Sequence, residues 1–209
     1  PIDLHLKALR KLGIKARESH GYIFCDAEKI IGNDICLNFP SVGATENIML
    51  MAVMAKGNTI IRNAAKEPEV VDLQDYLNGM GAKITGAGTS VIRVEGVSKL
   101  NDVEHTVIPD RIEGSTYLAA AAITGGTVRV TNVIPEHLQA VLAVLQECGC
   151  QIYMDKDSIT LSRTSPLQPV DVIRTLPYPG FPTDIQAPMM SVLTLANGTS
   201  IMSETIFEN

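Results

Sequence analysis

The sequence predicts an α/β (α+β) fold with helices in the middle and sheets outside, an inside-out α/β barrel built from βαβαββ repeats. Three observations carry this expectation. Gly13, Gly81 and Gly149 recur 68 residues apart, and each closes an amphipathic helix whose leucines keep helical spacing. After each such helix come two alternating stretches joined by a turn, the pattern of a β-hairpin. A second set of helices, containing IMLMAVMA, YLAAAAI and MMSVLTLA, carries almost no charge, and helices that apolar belong inside, covered on most sides.

Each element can be justified in order. PIDLHLKALRKLGIKA, from Pro1, forms the first helix, and Gly13 supplies its left-handed C-terminal cap. The hairpin IKARESHGYIFCDA follows. PSVGATENIMLMAVMAKGNTIIRN then reads as a proline, a capping Ser41, an apolar helix, a turn and a strand. In that helix Met49, Met51 and Met54, with Leu50 and Val53, form a core stripe. EPEVVDLQDYLNGMGAKI opens the next copy, with Glu67 and Glu69 favoured beside Pro68 by the helix dipole. AKITGAGTSVIRVEG is its hairpin.

The polar loop NDVEHT marks a boundary between His105 and Asp110, which divides the chain into domains 1–108 and 109–209. Beyond it, PDRIEGSTYLAAAAITGGTVRVTN repeats the proline, cap, helix and strand with Asp110 as cap. IPEHLQAVLAVLQECGCQI and CQIYMDKDSITLSR repeat the helix and hairpin. PTDIQAPMMSVLTLANGTSIMSE is the third copy, with Thr183 in the capping slot, and ETIFEN ends the chain as a strand. The chain opens on Pro1 at a first-type helix and stops at Asn209 inside a copy, so it reads as an excerpt of a longer repeat protein.

Composition narrows the function. Hydrophobic residues make up 45% and charged ones 19%, enough for a packed core. A net charge of −6 argues against a nucleic-acid partner. No apolar run reaches membrane-spanning length, no signal peptide opens the chain, and no membrane partner is expected. Cys25, Cys36, Cys148 and Cys150 form no CxxC pair and no metal spacing with the histidines, so no metal or cofactor is expected and the thiols read as reduced and cytosolic. Cys148 and Cys150 read as small buried hydrophobes. His5 lies on the first helix, whereas His20, His105 and His137 lie in loops or a helix start without matching partners.

Two features remain chemically open. If Thr183 caps its helix as Ser41 and Asp110 cap theirs, the neighbouring Asp184 is surplus to capping, and Pro188 places the helix start close to it. A carboxylate there is favoured in its ionised form and can accept a proton; it can equally do no more than complement the dipole. Ser41 to Thr45, SVGAT, leaves backbone N–H groups unobstructed at a helix start, one way to hold a phosphate, although Ser41 can be only a cap and Gly43 only a packing site. There is no P-loop and no dinucleotide fingerprint.

Six motifs, PIDLH, FPSVGATENIM, NAAKEPEVVDL, VIPDRIE, YPGFPTDIQ and ETIFEN, stand in this order from Pro1 to Asn209. Together they resemble the UDP-N-acetylglucosamine enolpyruvyl transferase family. The resemblance implies a two-domain enolpyruvyl transferase fold. It also implies transfer of the enolpyruvyl group of phosphoenolpyruvate to the 3-hydroxyl of UDP-N-acetylglucosamine, the committed step of peptidoglycan synthesis. By the same resemblance Asp184 holds and deprotonates that hydroxyl. Pro1, Ile2, Asp3, Leu4 and His5 contact the uridine, Ser41, Val42 and Gly43 the diphosphate, and Ile206 the amino sugar, while Asp110 and Arg111 lie near the cleft. The family's loop cysteine and Lys-Asn pair fall upstream of Pro1, and further arginines downstream of Asn209. The missing parts of the same polypeptide are therefore expected partners, and the isolated fragment is expected to be inactive. A shikimate-pathway enolpyruvyl transferase, or a non-catalytic paralogue or scaffold, is the alternative.

Overall fold

The computed structural model describes residues 2–207 and divides the chain into two compact units, Pro1–Ile108 and Pro109–Asn209. The first unit contains α1 (Asp3–Lys11), β1 (Lys15–Ser19), β2 (Tyr22–Asp26), β3 (Asp34–Cys36), α2 (Val42–Ala52), β4 (Asn58–Arg62), α3 (Pro68–Gly79), β5 (Lys83–Thr85) and β6 (Val91–Glu95). The second contains α4 (Arg111–Thr124), β7 (Gly126–Thr131), a 3-10 turn at Pro135–Leu138, α5 (Gln139–Glu147), β8 (Gln151–Met154), β9 (Ser158–Arg163), β10 (Val172–Arg174), a 3-10 turn at Thr183–Ile185, α6 (Gln186–Leu193) and β11 (Ile201–Ser203).

One complete βαβαββ unit runs from β3 to β6. Its sheet has the order β3-β4-β6-β5, with β3 and β4 parallel across the α2 crossover and the other pairs antiparallel. The second unit repeats the parts. β7-β9-β8 has the order of β4-β6-β5, and β10 and β11 are parallel across α6, with Ile173 opposite Met202. No strand is present between β6 and α4 among the described residues, so that copy lacks its leading strand.

The glycine caps have the geometry the repeat predicts. Gly13, Gly81 and Gly149 have φ of 90°, 101° and 91°, a region where a Cβ is strained. Beyond each, the same hydrogen bond closes the helix, from the N–H of Ile14 to Leu9, of Ala82 to Leu77 and of Cys150 to Leu145. Three hairpins follow, β1 with β2, β5 with β6 and β8 with β9, all antiparallel.

Burial departs from expectation on the second-type helices. α2 buries Ala44, Ile48, Met49 and Ala52 against the inward Ile35, Ile61, Ile92 and Val94 of its sheet, each large side chain contributing about 1.5–3 kcal/mol. Leu50 and Met54 are nevertheless exposed, as are Tyr117 on α4 and Met190 on α6. Apart from Asn47 and Leu50, α2 is buried or half-buried along its length, packed on α1 and α3 as well as on its sheet, whereas α4 and α6 leave a larger share of their residues exposed. The expected core stripe narrows to Met49 and Val53, with Met51 partly buried.

The second unit has its own core, in which Leu118, Leu142, Leu145, Ile159, Leu161, Ile185 and Met189 meet. Cys148 and Cys150 are buried in it. Burial, reinforced by Cys150 and Glu147, pushes the Cys148 thiol up to about 11. It behaves as a packed hydrophobe rather than a nucleophile. His105, expected without a partner, lies 2.9 Å from Asp72 Oδ1 through Nε2 and packs on Tyr76. The partner was missed because Asp72 lies 33 residues away on α3, before β5 and β6. No helix is long and apolar enough to cross a membrane among the described residues.

Candidate functional site

In the first unit the PIDLH and SVGAT motifs meet. α1 begins at Asp3 without a side-chain cap, leaving Ile2 and Asp3 exposed and Leu4 and His5 half-buried. Pro1 lies outside the described residues. α2 begins behind Ser41, whose Oγ accepts the N–H of Ala44 at 3.3 Å while its carbonyl accepts the N–H and the hydroxyl of Thr45. Thr45 Oγ1 in turn accepts the N–H of Ala65, which ties the helix start to the segment after β4. The N–H groups of Val42 and Gly43 have no acceptor among the described residues, and they stand at the positive end of the helix.

The His5 ring rests on this corner. A Cβ on Gly43 would lie 3.1 Å from His5 Cε1, so glycine is what lets the ring approach the α2 backbone. One turn along, Asn47 Nδ2 stands 2.7 Å from His5 Nδ1. Sequence reasoning missed Asn47, although its place four residues after Gly43, on the same helix face, was a signal.

In the second unit Asp110 caps α4, its Oδ1 accepting the N–H groups of Ile112 at 2.7 Å and Glu113 at 3.1 Å. The buried Arg111 guanidinium lies 5.6 Å from the centre of the Tyr178 ring, a cation–π contact that joins α4 to the YPGFPTD loop. Phe181 and Ile185 are buried on either side of Asp184, while Asp184 itself is exposed and accepts no hydrogen bond among the described residues.

Thr183 does not cap α6. The first turn is 3-10, its capping position is taken by Pro182, and Thr183 Oγ1 donates instead to Glu204 Oε2 at 2.8 Å. A carboxylate is the stronger acceptor and outcompetes a local cap. The other oxygen of Glu204 accepts the Thr175 hydroxyl at 2.8 Å and the N–H groups of Ile206 at 2.6 Å and Phe207 at 3.2 Å. For the same reason Glu204 to Phe207 is not the strand expected of ETIFEN: N–H groups turned toward a side chain cannot enter a ladder. The half-buried setting raises the Glu204 carboxyl, but the N–H of Ile206, the hydroxyls of Thr175 and Thr183 and the N–H of Phe207 reverse this and hold it down at about 2. Glu204 was also missed, being a charged residue with no local pattern.

Among the described residues no group of acids, histidines and cysteines is placed to hold a metal ion.

The sequence profile of the EPSP synthase (3-phosphoshikimate 1-carboxyvinyltransferase) family matches residues 1–209. The chain belongs to that family. Among enolpyruvyl transferases it is 56% identical over 209 residues to UDP-N-acetylglucosamine 1-carboxyvinyltransferase 2 of Caldanaerobacter subterraneus subsp. tengcongensis, covering all of this chain and 50% of that protein. It is 58% identical to UDP-N-acetylglucosamine 1-carboxyvinyltransferase 1 of Symbiobacterium thermophilum, covering all of this chain and 47% of that protein. The chain thus spans about half the length of these relatives. In fold it is similar to the enolpyruvyl transferase NikO from Streptomyces tendae, with a TM-score of 0.83 at 23% identity over 98% of this chain and 52% of that one. EPSP synthase from Acinetobacter baumannii gives a TM-score of 0.61 at 18% identity, over 97% of this chain and 48% of that one. The mixed helix and sheet arrangement is that of the enolpyruvyl transferase fold.

Proposed function

We propose that this chain is part of a cytoplasmic enolpyruvyl transferase that moves the enolpyruvyl group of phosphoenolpyruvate onto the 3-hydroxyl of UDP-N-acetylglucosamine, in the service of peptidoglycan synthesis. The observation that carries the reading is the identity of 53–58% across the whole chain with proteins named for that reaction. Residues 1–108 then form the later part of one enolpyruvyl-transferase domain and residues 109–209 the early part of the next.

The residue roles follow from local chemistry. The unobstructed N–H groups of Val42 and Gly43, with Ser41 beside them, suit the oxygens of a diphosphate. The neighbouring Ile2–His5 segment, with Pro1 before it, suits the uridine. Asp184, exposed and without a hydrogen-bond partner among the described residues, takes the proton of the 3-hydroxyl as that oxygen bonds to the phosphate-bearing carbon of phosphoenolpyruvate. The methylene carbon gains a proton, giving a tetrahedral adduct; the bond from that carbon's neighbour to the phosphate oxygen then breaks, phosphate leaves, and the new methyl carbon gives up a proton so that the double bond is restored. Ile206 contacts the amino sugar, and Asp110 borders the substrate through whatever its cap leaves free. The proton donor and the cations that neutralise phosphoenolpyruvate are assigned to the remainder of the polypeptide.

Titration calorimetry on the full-length protein tests this. UDP-N-acetylglucosamine is expected to bind, and shikimate 3-phosphate is not. The family's description favours the second ligand, and saturable binding of it without any for the uridine nucleotide would move the assignment to the shikimate-type reaction.

A further inference from the structure

Glu204 lies outside every role assigned so far, yet it is the most heavily engaged acid of the second unit. One oxygen holds Thr183, the residue before Asp184; the other holds the backbone N–H groups of Ile206 and Phe207 and the hydroxyl of Thr175. Thr175 is wholly buried and closes the network, since its Oγ1 accepts the N–H of Thr205 and its carbonyl accepts the Thr205 hydroxyl. Three segments far apart in sequence, the end of β10, the 3-10 turn and the stretch after β11, are thereby held to one carboxylate.

We infer that Glu204 is a positioning residue, which fixes the Asp184 turn and the Ile206 backbone in a single register through the Thr183 hydroxyl and the Ile206 N–H. The inference rests on the reading of Asp184 as base and Ile206 as sugar contact. Among the described residues Asp184 has no hydrogen bond of its own to orient it. Its place is set by what flanks it: Phe181 and Ile185 by burial, and Thr183 by Glu204. Displacing a reacting group by about 1 Å can cost on the order of a hundredfold in rate. A single hydrogen bond at the adjacent residue is therefore enough to matter.

The test uses four substitutions in the full-length protein, with kcat, the KM of each substrate and the thermal midpoint measured for all. Thr183→Val and Glu204→Ala remove the link; Thr183→Ser keeps the hydroxyl, and Glu204→Gln keeps one oxygen for the Ile206 and Phe207 N–H groups with an amide N–H to donate to the Thr183 oxygen. Loss of about tenfold to a hundredfold in kcat is expected for the first two, with a raised KM for the sugar nucleotide and an unchanged KM for phosphoenolpyruvate. The second pair should recover most of it. Thr183→Val guards against Glu204→Ala failing to fold, because it is nearly isosteric. Wild-type kcat and sugar KM in Thr183→Val and Glu204→Ala would overturn the inference, and so would losses that follow the thermal midpoint alike in all four. Asp184→Ala serves as the control. If it keeps normal turnover, the reading of the base fails; if it is inactive while Thr183→Val is normal, only the positioning role fails.

Discussion

The starts of α2 and α6 occupy the same slot in their repeats, one residue past a proline, and each carries a hydroxyl there. Ser41 turns its oxygen onto its own helix and accepts from Ala44; Thr183 turns its hydroxyl away and donates to Glu204. At α2 the cap is local and the two N–H groups of Val42 and Gly43 have no acceptor among the described residues. At α6 the helix opens with a 3-10 turn, and the bond that would have capped it instead ties Asp184's neighbour to a segment some twenty residues downstream. One repeat motif thus yields two devices, a surface of backbone donors and a carboxylate on an anchored turn.

The largest expected effect falls on the second device. Asp184→Ala should lower turnover of the full-length protein by about a hundredfold to ten-thousandfold, the range of a lost general base. Its thermal midpoint should be unchanged, because the carboxylate has no hydrogen-bond partner to lose among the described residues. Normal turnover would remove the functional half of the comparison. On the first device, Gly43→Ala places a methyl group 3.1 Å from His5 Cε1. The ring must give way, and affinity for the uridine nucleotide should fall about tenfold, some 1.4 kcal/mol, by calorimetry.

Removing the local caps of α2 and α4 should cost stability, whereas α6 has no such cap to lose. Ser41→Ala and Asp110→Ala should each cost about 1 kcal/mol in urea unfolding.

Acid should act through Glu204. Its folded value, about 2, lies below the 4.5 of a free glutamate. Ionised Glu204 therefore stabilises the fold above pH 4.5, and that contribution is lost as pH falls from 4.5 toward 2. In Glu204→Gln the stability–pH curve should be flatter across that window. The smallest effect is expected at Glu46 on α2, whose half-buried carboxyl is raised by burial and then by Glu69 and Glu67. A raised value favours the fold at low pH and is lost as pH rises through it. Glu46→Gln should accordingly be slightly more stable than the parent at pH 7 by thermal melting.

Much of this was legible in sequence, for reasons that are local. A glycine every 68 residues needs only its own φ to end a helix, and Ser41 and Asp110 reach their caps within three residues. The resemblance to enolpyruvyl transferases rested on short ordered motifs, and it agrees with the family match over residues 1–209 and with 56% identity to a relative.

What sequence periodicity determined by itself was the repeat, its capped helices, its hairpins and the alternating strands, because each depends on residues within a turn or two of one another. Tertiary structure alone decided which hydroxyls serve a helix and which serve a distant acid, and which flank of each apolar helix is covered. It alone seated His5 on Gly43 and Asn47. These outcomes depend on partners 42 and 21 residues apart, and a chain read one window at a time contains only one of each pair.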